Sequence, residues 1–275
     1  MTGPNEHPLA RADRQVIQVT GDDAQAFLQA QLSCDLREMQ PSDTAYGAWL
    51  DPQGRVRACL DLLMTDTGID LLVNDSLAES VTAGLSRYIL RSKVQISQRS
   101  EWTVGAQLGA SPDGSSANTI SISPTLAYRF PVDAIETDSS NAARLAATLL
   151  GRPELGPETS GSFTAHMINL DQLGALSFTK GCYPGQEVVA RTENLGKAKR
   201  RMFGFTTTSS SLPADGSPVM DPSGREHGLV LQAARDENCI VLLAVIRLDS
   251  INEPLYLEHG ADALTRKPVP GEIAL

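Results

Sequence analysis

The residues best suited to chemistry lie in the stretch LSFTKGCYPGQEVVAR, Leu176 to Arg191. Cys182 sits between Gly181 and Tyr183, with Lys180 before it and Pro184-Gly185, a turn pair, behind it. Gly181 frees the backbone beside the thiol. The Pro-Gly pair can also open a helix with proline at its first position, so that Gly185, Gln186 and Glu187 begin the helix that carries Arg191. On that reading Cys182 lies just before a helix N-terminus, where unpaired N–H groups and the helix dipole favour a thiolate. Lys180 and Arg191 add positive charge there, and Glu187 opposes it. The residue types alone leave a plainer reading open, that of a small side chain tolerated in a tight turn and chemically inert.

The other candidates are weaker. Cys59 and Cys239 lie inside apolar runs and read as core, while Cys34 follows a helix and reads as structural. There is no C-x-x-C, and His7, His166, His227 and His259 have no paired spacing, so neither a disulfide framework nor a metal site is expected. Asn169 and Asp171 place an amide and a carboxylate shortly before the motif, either to bind a ligand or to cap a turn. The run KAKRR, Lys197 to Arg201, is the only dense basic segment, and it reads as a solvated edge or as a contact for an anionic partner such as RNA phosphate.

The elements that must position these groups follow from periodicity. QVIQVTG reads as a strand, and Asp22 or Asp23 can cap a helix with Phe27, Leu28 and Leu32 on one face. TAYGAWL and VRACLDLLM flank the turn DPQGR and form a hairpin, followed by the strand GIDLLVN. Ser76 and Glu79 have capping-box spacing ahead of a helix with Leu77, Val81, Leu85 and Ile89 on one side, and KVQIS closes the unit. A second mixed unit has strands around WTVGAQL and TLAYRFPV, a loop GASPDGSSANT between them, and a helix from about Ser140 that ends before Gly151. After Gly196 short strands cut by turns predict an all-β, barrel-like domain: RMFGFTTT, SPVM with the turn DPSG, GLVLQ, CIVLLAVIRL and LYLE.

The longer stretch NLDQLGALSFTKGCYPGQEVVAR is similar, nearly residue for residue, to the signature of the YgfZ family, folate-binding relatives of the glycine-cleavage T-protein. VTGDDAQAFLQAQLSCDL, AWLDPQGRV and RYILRSKVQI resemble that family's N-terminal landmarks in the right order. The resemblance implies an α+β protein with the T-protein fold: two ferredoxin-like units and a C-terminal β-barrel around a central cavity. It implies boundaries at about 15–100 and 101–196 within a region 1–196, with the barrel at 197–275. It further implies a folate-dependent factor in assembling or repairing iron–sulfur clusters, supporting iron–sulfur enzymes that include tRNA-modifying ones. Cys182, assisted by Lys180, is the implied functional residue. Tetrahydrofolate or a derivative is the implied cofactor, with Asn169, Asp171, Gly181, Tyr183, Gly185, Gln186, Glu187 and Arg191 as binding candidates. T-proteins resemble K-G-D-F-x-G at this place, so a thiol stands here for a carboxylate, which argues against plain aminomethyl transfer. The positions of the folate-stacking tryptophans of some relatives fall near Arg14 and Ala143. A one-carbon transferase and a folate-sensing module without chemistry remain the competing functions.

Composition bounds the partners. The chain has 275 residues and a net charge of −10, so direct DNA binding is not expected. No apolar run approaches the roughly 20 residues of a membrane helix, and the N-terminus lacks a leader pattern. A cytoplasmic protein is expected, with folate and, transiently, iron–sulfur enzymes or assembly factors as partners.

Overall fold

The computed structural model describes residues 9–109, 118–137, 139–196, 198–257 and 263–273. His7, His259, Lys197, Glu258 and most of the GASPDGSSANT loop lie outside the described residues.

The chain opens with β1 (Leu9–Arg11) and β2 (Arg14–Thr20), then α1 (Ala24–Gln31). The hairpin β3 (Thr44–Leu50) and β4 (Val56–Thr65), then β5 (Gly68–Asn74), α2 (Ala78–Ser86) and β6 (Gln95–Gln98) complete the first unit. Its five-stranded antiparallel sheet has the order β3-β4-β5-β2-β6. Two local expectations change. Asp23 precedes α1 but does not cap it; its carboxylate accepts from the Lys93 N–H at 2.7 Å and ties the helix start to the segment before β6. The Ser76/Glu79 capping box does not form, because Asn74 caps Ser76 N at 3.1 Å in a short 3₁₀ turn, and α2 ends at Ser86 before it reaches Ile89.

The second unit holds β7 (Gly105–Leu108), β8 (Thr119–Ser123), β9 (Leu126–Arg129) and α3 (Asn141–Leu149). Its four-stranded sheet, β1-β7-β9-β8, takes its first strand from the segment before β2. The strand β8 was not expected: TISIS alternates as a strand does, but it is only five residues long and follows a Gly/Ser-rich loop. Gly151, with φ 63°, follows α3 as the sequence predicts.

The motif helix α4 (Gln186–Leu195) leads into the third sheet. Its strands are β10 (Arg200–Thr207), β11 (Pro218–Met220), β12 (Glu226–Asp236), β13 (Cys239–Arg247), β14 (Tyr256–Leu257) and β15 (Thr265–Arg266). They form a six-stranded antiparallel sheet of order β14-β11-β12-β13-β10-β15.

The strands β2, β4 and β5 are buried on both faces, which is why they read as near-continuous apolar runs. Val16, Leu63 and Leu72 face the second sheet, packing with Ala106, Leu126, Tyr128 and Phe130. Ile17, Leu62 and Leu71 face the opposite way, into a core shared with α1, α2 and the third sheet through Met202, Leu231, Leu243 and Val245. Leu176, Tyr183 and Val189 of the motif belong to that same core. The cysteine loop is therefore anchored by the packing that joins the first sheet to the third.

Candidate functional site

The motif forms no strand at Leu176 to Phe178; the chain is irregular until α4 begins at Gln186. Gly185 is the residue before the helix, in the left-handed region at φ 80°, so proline does not occupy the first helical position. Its position demands glycine twice over. A Cβ there would meet Asp51 O at 2.7 Å and Gly54 Cα at 2.8 Å, both in the DPQG turn between β3 and β4. From the other side, Val188 lies where a Cβ on Gly54 would need to be, at 2.7 Å. The cysteine loop and the first hairpin turn thus fit each other glycine to glycine.

Lys180 fixes the other end. It is buried, and its ammonium donates to Leu32 O at 2.7 Å and Cys34 O at 2.6 Å, carbonyls just beyond α1. Its charge also lies 5.2 Å from the Tyr183 ring centroid. Burial lowers its pKa to about 8, although the Cys34 thiol and Asp35 oppose the shift. Between the two anchors Gly181 and Cys182 are exposed, with nothing within 4 Å of a Cβ built on Gly181. Cys34 and Cys59 are buried, and burial pushes their thiols up to about 11 and about 12. Cys239 is half-buried.

The other motif residues divide. Glu187 and Arg191 pair with each other at 2.6 Å on the exposed face of α4, so the helix's own acid offsets the arginine charge. Gln186 is half-buried at the helix start. Asn169, in the left-handed region at φ 57°, donates to Met202 O at 2.8 Å, while its Oδ1 is buried without a partner. Asp171 accepts from Arg201 at 2.6 Å, and despite burial the bonds from Arg201 and Gln172 hold its carboxyl below the usual range. Both residues therefore tie the motif region to β10. The Tyr183 hydroxyl is also buried and unpartnered, and burial pushes its pKa up to about 12.

Of the basic run, Arg201 is engaged with Asp171 and the His166 carbonyl. Lys199 and Arg200 line a cleft of about 510 Å³ together with Arg247.

A second constellation, not visible in the sequence, lies where the three sheets meet. Arg14 of β2 bonds Glu154 at 2.8 Å and approaches Asp61 of β4 at 3.3 Å. Arg152 bonds Asp61 from the other side and stacks over the Tyr46 ring at 3.4 Å. Tyr128 of β9 donates to Glu154, and Gln232 of β12 accepts from the Glu154 N–H at 2.6 Å. Two guanidinium groups thus face two carboxylates in the interior. Among the described residues Arg14 Nε and Arg152 Nε are buried there without hydrogen-bond partners, and Asp61 Oδ2 has only its ion pair with Arg14. The cluster combines the Tyr46 and Tyr128 rings with two carboxylates able to accept from N–H donors. No signal in single residues foretold the cluster, which draws on six separate segments. Arg14, near one of the two positions singled out in the sequence, belongs to it, whereas Ala143, near the other, is buried in α3. The two tryptophans present do other work: Trp49 fills the space over Gly84 of α2, and Trp102 stacks with Arg99 and Phe130.

Comparison with known proteins places this architecture. The crystal structure of glycine cleavage system aminomethyltransferase T from Bartonella henselae superposes with a TM-score of 0.74, covering 98% of this chain and 87% of that one, at 14% identity. That likeness establishes the fold. In sequence, the tRNA-modifying protein YgfZ of Escherichia coli O157:H7 is 28% identical, and that of Shigella sonnei 27%, each over 92% of this chain and 89% of the relative. The chain is similar to YgfZ proteins over nearly its whole length and has a T-protein fold. No family model matches it. Among the described residues no helix is long and apolar enough to cross a membrane.

Proposed function

We propose that this chain is a folate-dependent accessory factor for iron–sulfur cluster assembly or repair that acts through Cys182. The observation that carries the reading is the exposed thiol on a loop clamped at Lys180 and at Gly185, beside two buried, unreactive cysteines. Such a thiolate can attack as a nucleophile. It can equally replace another thiolate at iron, releasing it with no change in oxidation state, and a single soft ligand leaves the iron free to move on. Lys180 is a positioning residue on this reading, because its ammonium is turned to carbonyls. Iron–sulfur enzymes, tRNA-modifying ones among them, benefit indirectly, and they or their assembly factors are transient partners in the cytoplasm.

Tetrahydrofolate is the proposed cofactor. Asp61 and Glu154 would accept from its pterin edge, with Tyr46 and Tyr128 beside the ring, and folate would supply a one-carbon carrier. Arg14 and Arg152 hold those carboxylates in place. Asn169 and Tyr183, whose buried oxygens lack partners, are the motif residues with capacity left for a ligand. Lys199 and Arg200, in their cleft, suit a polyglutamate tail.

The test is complementation of a strain lacking its own family member, scored by the activity of iron–sulfur enzymes, with wild type against Cys182→Ser. The serine variant should fail while keeping its fold; full rescue would remove the thiol from the function and leave a folate-sensing module. The fold itself keeps one rival in view, an aminomethyl transferase, and turnover of an aminomethyl donor with tetrahydrofolate would favour it.

A further inference from the structure

We propose that Asp221, His227 and Glu253 form a site for a divalent transition-metal ion of the zinc class, at the outer end of the third sheet and separate from the cysteine loop. Asp221 lies in the DPSG turn before β12, His227 is the second residue of β12, and Glu253 follows β13 and a 3₁₀ turn. One ligand atom from each lies within 4.8 Å of the other two. The contacts of His227 are 2.9 Å to Asp221 Oδ2 and 4.0 Å to Glu253 Oε2. With bonds of about 2.0–2.2 Å, a zinc ion holds its ligand atoms roughly 3–4 Å apart, a spacing that the two His227 contacts bracket.

The decisive feature is the orientation of the imidazole. His227 is buried, and its Nδ1 lies 2.6 Å from Ser250 Oγ. The same hydroxyl lies 3.1 Å from Asp249 Oδ1, to which it can donate. With Nδ1 engaged by Ser250, Nε2 is the ring nitrogen that faces the two carboxylate oxygens. A positive centre at Nε2, a proton or a metal ion, is what holds the ring against the two carboxylates. A hydrogen-bonded Nδ1 fixing the tautomer is also the arrangement that prepares histidine as a metal ligand. Asp221 is prepared in the same way. Its Oδ1 is filled by Ser223 N, Ser223 Oγ and Arg225 N, and Oδ2 alone is left for the site. Glu253 is half-exposed, so solvent completes the coordination. One imidazole and two carboxylates suit a borderline ion such as Zn²⁺ better than Mg²⁺, which keeps its waters. The ion would tie the DPSG turn to the segment that follows β13.

The competing occupant is a proton on Nε2, which makes His227 an ordinary ion-pair partner. Isothermal titration of chelator-treated full-length protein with Zn²⁺ separates the two. A one-to-one site is expected in wild type, with a higher melting temperature in zinc. Glu253→Gln, at an exposed position that leaves the fold alone, should weaken zinc by tenfold or more. Cys182→Ser should bind as wild type does. His227→Gln should abolish the site. The absence of saturable zinc in wild type, equal affinity in Glu253→Gln, or loss of binding in Cys182→Ser would each overturn the assignment.

Discussion

The chain makes the same hairpin turn twice, as DPQGR at 51–55 and DPSGR at 221–225, and uses it for different ends. In both, the aspartate Oδ1 accepts from the third and fifth residues, at 3.0 and 2.9 Å in the first turn and 2.8 and 3.0 Å in the second. In both, the aspartate N–H bonds the arginine carbonyl, and the glycine N–H bonds the aspartate carbonyl. The glycines are left-handed, at φ 73° and 83°. The local sequence therefore determines the local structure completely. What packs on each turn then decides its role. Gly54 is covered by Val188 and faces Gly185, so the first turn is the seat of the cysteine loop, whereas nothing lies within 4 Å of a Cβ on Gly224. The second turn is open, and its spare carboxylate oxygen is free to meet His227.

The covered turn makes the cysteine loop a lid over a dry interior, so the thiols on its two sides should differ most. With pushed-up pKa values of about 11 and about 12, Cys34 and Cys59 carry at least about a hundredfold less thiolate than an ordinary thiol, before access is counted. Limited alkylation with peptide mapping should label Cys182 first. Early labelling of Cys34 would mean that the loop does not cover the α1 end as described.

A next effect should come from Gly185→Val. The substitution meets a left-handed backbone and collides with Asp51 O and Gly54 Cα, a cost on the order of 1–3 kcal/mol from strain and as much again from overpacking. Complementation should be lost while the third sheet stays folded, as seen by circular dichroism and melting temperature together. Normal complementation would show that the seat of the loop does not matter to function.

A matched pair then isolates the covering itself. Gly224→Ala should cost about 1 kcal/mol, the left-handed penalty alone. Gly54→Ala carries the same penalty plus contact with Val188, and should cost roughly 1–2 kcal/mol more in urea unfolding. Equal costs would mean that α4 yields at Val188.

Much of this was legible in the sequence. The strands β2 to β5, both DPxGR turns, α3 with its terminal glycine and the break before the third sheet follow from period, punctuation and burial on two faces. The motif marked Cys182 because glycine, proline and lysine around a thiol is an uncommon local pattern. It could not show that Lys180 points inward, since that depends on carbonyls about 148 positions away at Leu32. Nor could it show the interior pairs of Arg14, Asp61, Arg152 and Glu154, or the meeting of His227 with Glu253. Each is made by tertiary packing of segments whose local patterns are ordinary. The strands β8 and β1, the two short edges of the second sheet, escaped for a related reason, because pairing with β9 and β7 holds them in place.

The smallest effect concerns the other anchor. Lys180 has its pKa lowered from 10.5 to about 8 by burial, so between those values the unfolded chain binds more protons than the folded one. Stability from this group therefore rises with pH from about 8 to about 10.5, the reverse of a lysine held by an ion pair. Lys180→Met removes that slope, and it also removes the two bonds to Leu32 O and Cys34 O. The variant should be less stable than wild type at every pH, with a gap that widens from pH 8 toward 10. Urea unfolding of both proteins at three pH values in that window measures it. A gap that narrows would mean that the ammonium is better solvated than its carbonyl cage implies, and the loop would then hang from Gly185 and the first turn alone.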